Sequence, residues 1–167
     1  QLVLSRDQLA AAIRRAQEKG YPVAIHAIGD AGVEASLLGI ADALAGKPNT
    51  LRHMILHDRF IRDDLLGLYA QYGILAVIEP TTPCWWTAWI PLVGVDNGRY
   101  FGRWKDLVAT GAHVACDSDA LFYGEQGFAP IQRLAALMGV GDFDALEMFE
   151  PCAPFPSNQT LSAWQGL

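Results

Sequence analysis

The chain has 167 residues, 51% of them hydrophobic and 18% charged, with 16 glycines, a profile that excludes disordered and low-complexity classes and describes a globular domain or a large piece of one. Eighteen acidic against twelve basic residues leave a net charge of -6, and the cations are scattered, so the field repels a phosphate backbone and argues against a nucleic-acid partner. No apolar run approaches the ~18 residues of a membrane span, and Cys84, Cys116 and Cys152 are too far apart for a CxxC zinc site, which points to free thiols in a reducing, cytoplasmic setting.

Ser5 is placed to cap a helix whose apolar face carries Leu9, Ala12, Ile13 and Ala16, and Gly20 is placed to end it. Val23 to Ile28 is a short apolar run that reads as a strand buried on both faces, followed by a helix from about Ala31 to Ala45. Leu51 to His57 is strand-like, Arg62 to Tyr72 helical with Gly73 as its stop, and Ile74 to Ile78 a further apolar strand ending at Glu79-Pro80. The segment 81–98 is irregular and aromatic, with Trp85, Trp86 and Trp89. A helix is expected from about Arg99 to Thr110, then a strand from Ala112 to Cys116 ending in Asp117-Ser118-Asp119, and a last helix from Pro130 to Met138.

Buried strands alternating with amphipathic helices imply parallel strands joined by right-handed crossovers, hence an α/β fold. A doubly wound open sheet and part of a β/α barrel both satisfy that order, and four strand–helix units are half of the eight a closed barrel needs.

Ligands of parallel α/β folds bind at the carboxyl ends of the strands. Here those ends carry His26 and Asp30, His57 and Asp58, Glu79, and then Asp117 and Asp119. Neutral imidazoles converging with a carboxylate on one rim suit a divalent ion such as zinc. Strand parity groups His53, Ile55 and His57 on one face. Asp30 and Asp58 also fit as helix N-caps, while His53 and His113 read as structural.

Three stretches carry a family resemblance: His26-Ala27-Ile28-Gly29-Asp30, Leu51-Arg52-His53-Met54-Ile55-Leu56-His57 and Ala115-Cys116-Asp117-Ser118-Asp119. In that order and spacing they resemble the HAIGD, R-H-x-I-E-H and F-G-S-D segments of the amidohydrolase superfamily, in its family 3 branch, which includes N-substituted formamide deformylases. The resemblance runs from about Ser5 to Met138.

The resemblance implies a partial TIM (β/α)8 barrel in which these strands are the fifth to the eighth. It makes residues 1–140 the C-terminal half of the barrel and 141–167 an irregular, proline-rich tail. It further implies a metal-dependent hydrolase acting on carbon–nitrogen bonds of small amide-type substrates, with one or two divalent ions, zinc foremost. His26, His57 and Asp119 correspond to metal ligands, and Asp119 also to the catalytic proton shuttle. Asp117, Glu79 and Asp30 are further candidate contacts, and Trp85, Trp86 and Trp89 a candidate substrate wall. Leu56 replaces the glutamate of the second segment and Asp117 the glycine of the third, so a non-catalytic binding or regulatory protein on the same scaffold is the alternative expectation. Without the rest of the barrel the chain is expected to self-associate and to be inactive.

Overall fold

A computed structural model describes residues 2–78 and 92–116. Helix α1 spans Arg6–Glu18, β1 Ala24–Ala27, α2 Asp30–Leu44, β2 Met54–His57, α3 Asp63–Tyr72 and β3 Leu75–Ile78. After these come the short α4 (Val95–Gly98), α5 (Trp104–Ala109) and β4 (Val114–Cys116). None of the helices described is long and apolar enough to cross a membrane.

Local chemistry explains the boundaries. Ser5 and Gln8 form a reciprocal capping box: the Ser5 N–H donates to Gln8 Oε1 at 2.8 Å, and the Gln8 N–H donates to Ser5 Oγ at 3.3 Å. Its buried face is Leu9, Ala10 and Ile13, with Ala12 and Ala16 only half covered. That face lies on α2, where Gly39 lets the helices approach: a Cβ there would stand 3.0 Å from Leu9 Cβ and 3.4 Å from the Arg6 carbonyl oxygen. Beside the contact, the Arg6 guanidinium donates to both carboxylate oxygens of Asp42 at 2.5 and 2.6 Å.

All four strands are parallel and ordered β1-β2-β3-β4, the sequence order itself. A doubly wound sheet reverses its strand order at a switch point; among the described residues the order runs without reversal, as in consecutive staves of a β/α barrel. The register aligns residues in rows across the sheet. Ile25, Ile55, Ala76 and Val114 form one row, and all four pack in the main core beneath the helices with Leu37, Ile40, Leu65 and Tyr69. His26, Leu56, Val77 and Ala115 form the next row, on the opposite face, where Leu75, Val77 and Ala115 make a smaller cluster with Met54 and Leu56.

The helix expected from Arg99 to Thr110 is shorter, with α5 starting only at Trp104, and α4 falls in the segment 81–98 expected to be irregular. Between α4 and α5 the chain turns at Gly102, whose φ of +63° suits glycine, and Phe101 forms an antiparallel bridge with Phe60. The bridge is fixed by N–H bonds from Ile61 to the Tyr100 carbonyl and from Gly102 to the Arg59 carbonyl, both 2.9 Å. These tie the loop after β2 to the segment before α5, so a continuous helix from Arg99 cannot form. The helix expected at Pro130 to Met138 and the tail 141–167 lie outside the described residues.

Candidate functional site

The carboxyl ends of β1 and β2 bring His26 and His57 together, with ring centroids 4.5 Å apart and ring planes at 69°. Parity does not explain this. His57 is aligned with Ala27 and Ile78, both of which pack beneath the helices, and His53 and Ile55 on the same parity are fully buried. The face shared by His53, Ile55 and His57 in the sequence reading is therefore the wrong one for a site with His26.

What carries the ring across is backbone conformation. His57 has φ +77° and Asp58 φ +47°, two consecutive non-glycine residues in the left-handed region. Rotation about N–Cα swings the His57 Cβ from the helix side of β2 to the side that His26 faces. It also sends Asp58 the other way, into the layer between sheet and helices, where it is fully buried.

Asp58 is held there at three points. Its N–H donates to the Ala27 carbonyl at 3.2 Å, Trp104 Nε1 donates to its carbonyl at 3.3 Å, and the Tyr69 hydroxyl donates to carboxylate oxygen Oδ1. Burial pushes the Tyr69 hydroxyl well above its ordinary range, and the adjacent Asp58 charge pushes it the same way. The N-cap role expected for Asp58 is not found, since α3 starts five residues later at Asp63, with Arg62 at the cap position.

Asp30 is not a cap either. Gly29 occupies that position, and Asp30 sits in the first turn of α2, where its carboxylate lies 3.8 Å from Arg62 Nη1. Arg62 also binds Asp64 at 2.8 and 3.0 Å and Glu34 at 3.0 Å, which raises its pKa and joins the starts of α2 and α3 on the same rim of the sheet. Asp30 thus has a cation partner in Arg62.

His53 is structural, as expected. Its Nδ1 accepts the Val23 N–H at 3.0 Å, and Asn49 brackets its backbone, accepting the His53 N–H at 2.9 Å and donating to its carbonyl at 3.0 Å. Burial lowers the pKa of the ring. His113 precedes β4 at the end of the sheet away from the two rings, its carbonyl accepting the Ala76 N–H at 3.0 Å. Glu79, Trp85, Trp86, Trp89, Asp117 and Asp119 lie outside the described residues. Among the described residues no cluster of three or more His, Cys, Asp or Glu side chains is assembled.

Sequence reading missed Tyr69 and Trp104 as the buried anchors of Asp58. The available signal was an aspartate directly after a histidine at a strand end, too common at helix starts to stand out.

The amidohydrolase family matches residues 1–139. "Putative amidohydrolase YtcJ" of Bacillus subtilis (strain 168) is 30% identical over 136 residues, which cover 80% of this chain and 23% of that protein. The crystal structure of an uncharacterized metal-dependent hydrolase from Pyrococcus furiosus superposes with a TM-score of 0.72 at 21% identity, covering 98% of this chain and 34% of that one. A second, from Pyrococcus horikoshii OT3, gives 0.62 at 22% identity, covering 99% and 31%. The chain thus spans about a quarter to a third of the length of these relatives. With its family-wide match and sequential parallel sheet, the chain belongs to the amidohydrolase family.

Proposed function

We propose that this chain is the C-terminal half of the barrel of a cytoplasmic, metal-dependent amidohydrolase that hydrolyses carbon–nitrogen bonds of small, non-peptide amide-type substrates. The observation that carries the reading is the apposition of His26 and His57 at the ends of adjacent strands. Two imidazoles suit zinc, and centroids 4.5 Å apart are close enough for both rings to reach one ion at about 2.0–2.1 Å. A divalent ion bound there would supply Lewis acidity, lowering the pKa of water from 15.7 towards ~7.

The chain's own residues do the rest. His26 and His57, in their neutral forms, hold the ion through ring nitrogens. Asp119, by its resemblance to the family's aspartate, accepts the proton as water forms the new C–O bond and returns it to nitrogen as the C–N bond breaks. Asp117 and Glu79 are candidate further ligands, and Trp85, Trp86 and Trp89 a candidate apolar wall for the substrate. Among the described strands β1 and β4 are outermost, and in this reading they pair with the remainder of the barrel, or with a second copy when that remainder is missing. The chain alone is inert in this reading, because two imidazoles and one carboxylate make an open site.

The test uses the intact protein, assayed for bound zinc and for hydrolysis of a panel of small N-substituted amides. Asp119→Ala is expected to cost roughly 100-fold or more in turnover; a loss below about tenfold removes Asp119 from the chemistry. A second reading, a non-catalytic binding protein on this scaffold, is favoured by Leu56, which stands next to His26 in register and puts an isobutyl group where the family's segment carries glutamate. Failure of the intact protein to bind stoichiometric metal would select it.

A further inference from the structure

We propose that Asp58 is the positioning residue of the site: its buried carboxylate and carbonyl lock the left-handed turn at His57–Asp58 that carries the His57 imidazole through the sheet to His26.

The register puts His57 in a row that faces the helices, so by default its ring would lie beneath α3 with Ile55 and Ile78. Reaching His26 requires the positive φ angles at both His57 and Asp58, which non-glycine residues adopt only when the surroundings over-determine them. Asp58 is the residue so determined. The Tyr69 hydroxyl from α3 holds its carboxylate, Trp104 Nε1 from α5 holds its carbonyl, and its own N–H reaches across to Ala27 on β1. Three separate elements thus fix one residue, and the next residue back must turn its ring to the other face. Asp58 is fully buried on the helix side, and its carboxylate acts on the site through the backbone of His57.

The consequence is a pair of imidazoles set before any ion arrives. Calling that pair a metal site rests on the proposed function; the placement of His57 by Asp58 does not. The two can therefore fail separately.

The experiment reads cross-ring nuclear Overhauser effects between His26 and His57 in the metal-free full chain with labelled histidines, alongside Zn²⁺ affinity in the intact protein. In the wild type the rings are expected to show the cross-peak. Asp58→Ala is expected to lose it and to bind Zn²⁺ about 10–100-fold more weakly, as loss of outer-shell support does. Asp58→Asn keeps an acceptor for Tyr69 and tolerates left-handed φ, so it is expected to restore the cross-peak and bring affinity back to within about threefold. If Asp58→Ala fails to fold, Tyr69→Phe replaces it, with a weakened cross-peak expected. A folded Asp58→Ala, or a Tyr69→Phe used in its place, that keeps the full cross-peak overturns the positioning role, as does Asp58→Asn failing to restore it. A wild type that shows the cross-peak but binds no Zn²⁺ supports the placement and sinks the metal reading alone.

Discussion

The ring of His57 meets that of His26 edge-on at 4.5 Å, although the register aligns His57 with Ala27 and Ile78 in a row that faces the helices. The contact exists because two residues at the end of β2 take left-handed φ. Such conformations cost on the order of 1–3 kcal/mol each and cluster at functional sites, where the surrounding packing sustains them.

If the paired rings are the protein's metal ligands, removing either should hurt more than any change behind them. Loss of outer-shell partners typically costs about 10–100-fold in metal affinity, so His26→Ala and His57→Ala should each exceed ~100-fold in the intact protein. Competition titration with a chromogenic chelator measures this. Affinities within about threefold of wild type would place the ion elsewhere.

Behind the site, Tyr69→Phe deletes one hydroxyl from a fully buried position and withdraws a donor from the Asp58 carboxylate. Removing one partner of a buried, charged hydrogen bond should lower stability by about 1–3 kcal/mol. Urea unfolding should show a lower midpoint at unchanged slope. An unaltered midpoint would mean that the hydroxyl and carboxylate find equal partners in the unfolded chain.

Element order was legible because it rests on period and punctuation, but the strand read as buried on both faces from Val23 to Ile28 is buried on one only, with Ala24 and His26 exposed. Ser5 caps α1 as its position implied, Gly73 ended α3 at φ +61°, and the apolar run Leu75–Ile78 became the most buried strand. The two histidines were also legible as strand-end residues, but not the way they meet. Alternation assumes extended backbone throughout, and nothing in the letters His57-Asp58 announces left-handed φ, which arises from Tyr69 and Trp104 on distant elements. The late start of α5 was hidden for the same reason: Phe101, inside the expected helix, instead bridges Phe60, forty-one residues earlier in sequence. Asp30 and Asp58 looked alike as helix starters, yet one pairs with Arg62 at the rim and the other is buried.

The α1–α2 contact depends on the missing side chain of Gly39. A Cβ would already stand 3.0 Å from Leu9 Cβ and 3.4 Å from backbone at Arg6, and the two γ-methyls of valine have less room still. Gly39→Val should destabilise by roughly 1–3 kcal/mol through overpacking, against the ~1 kcal/mol that replacing a helical glycine can gain. Equilibrium denaturation decides the sign, and a stabilised variant would show that α1 can shift off α2 without loss.

His53 gives the fold a pH dependence separable from that of the site. Its ring is fully buried, its Nδ1 accepts the Val23 N–H, and burial lowers its pKa below the ordinary value of 6.5. Because the native state disfavours the proton, the unfolded chain binds more protons between the lowered native pKa and about 6.5. Stability from this group is fully present above about pH 6.5 and is lost as pH falls from there towards the native pKa, at no more than ~1.4 kcal/mol per pH unit. His53→Asn keeps an oxygen acceptor in place of Nδ1 and removes the titration. It should be less stable than the wild type at pH 7.5, for want of the ring's volume, but with a flatter profile below pH 6.5. The wild-type-minus-variant difference reads the contribution of His53. A difference independent of pH from 7.5 down to 5 would mean that the ring protonates in the folded state as easily as in the unfolded one. Protonation would then have to leave the Val23 N–H bond and the β1–β2 junction it supports undisturbed.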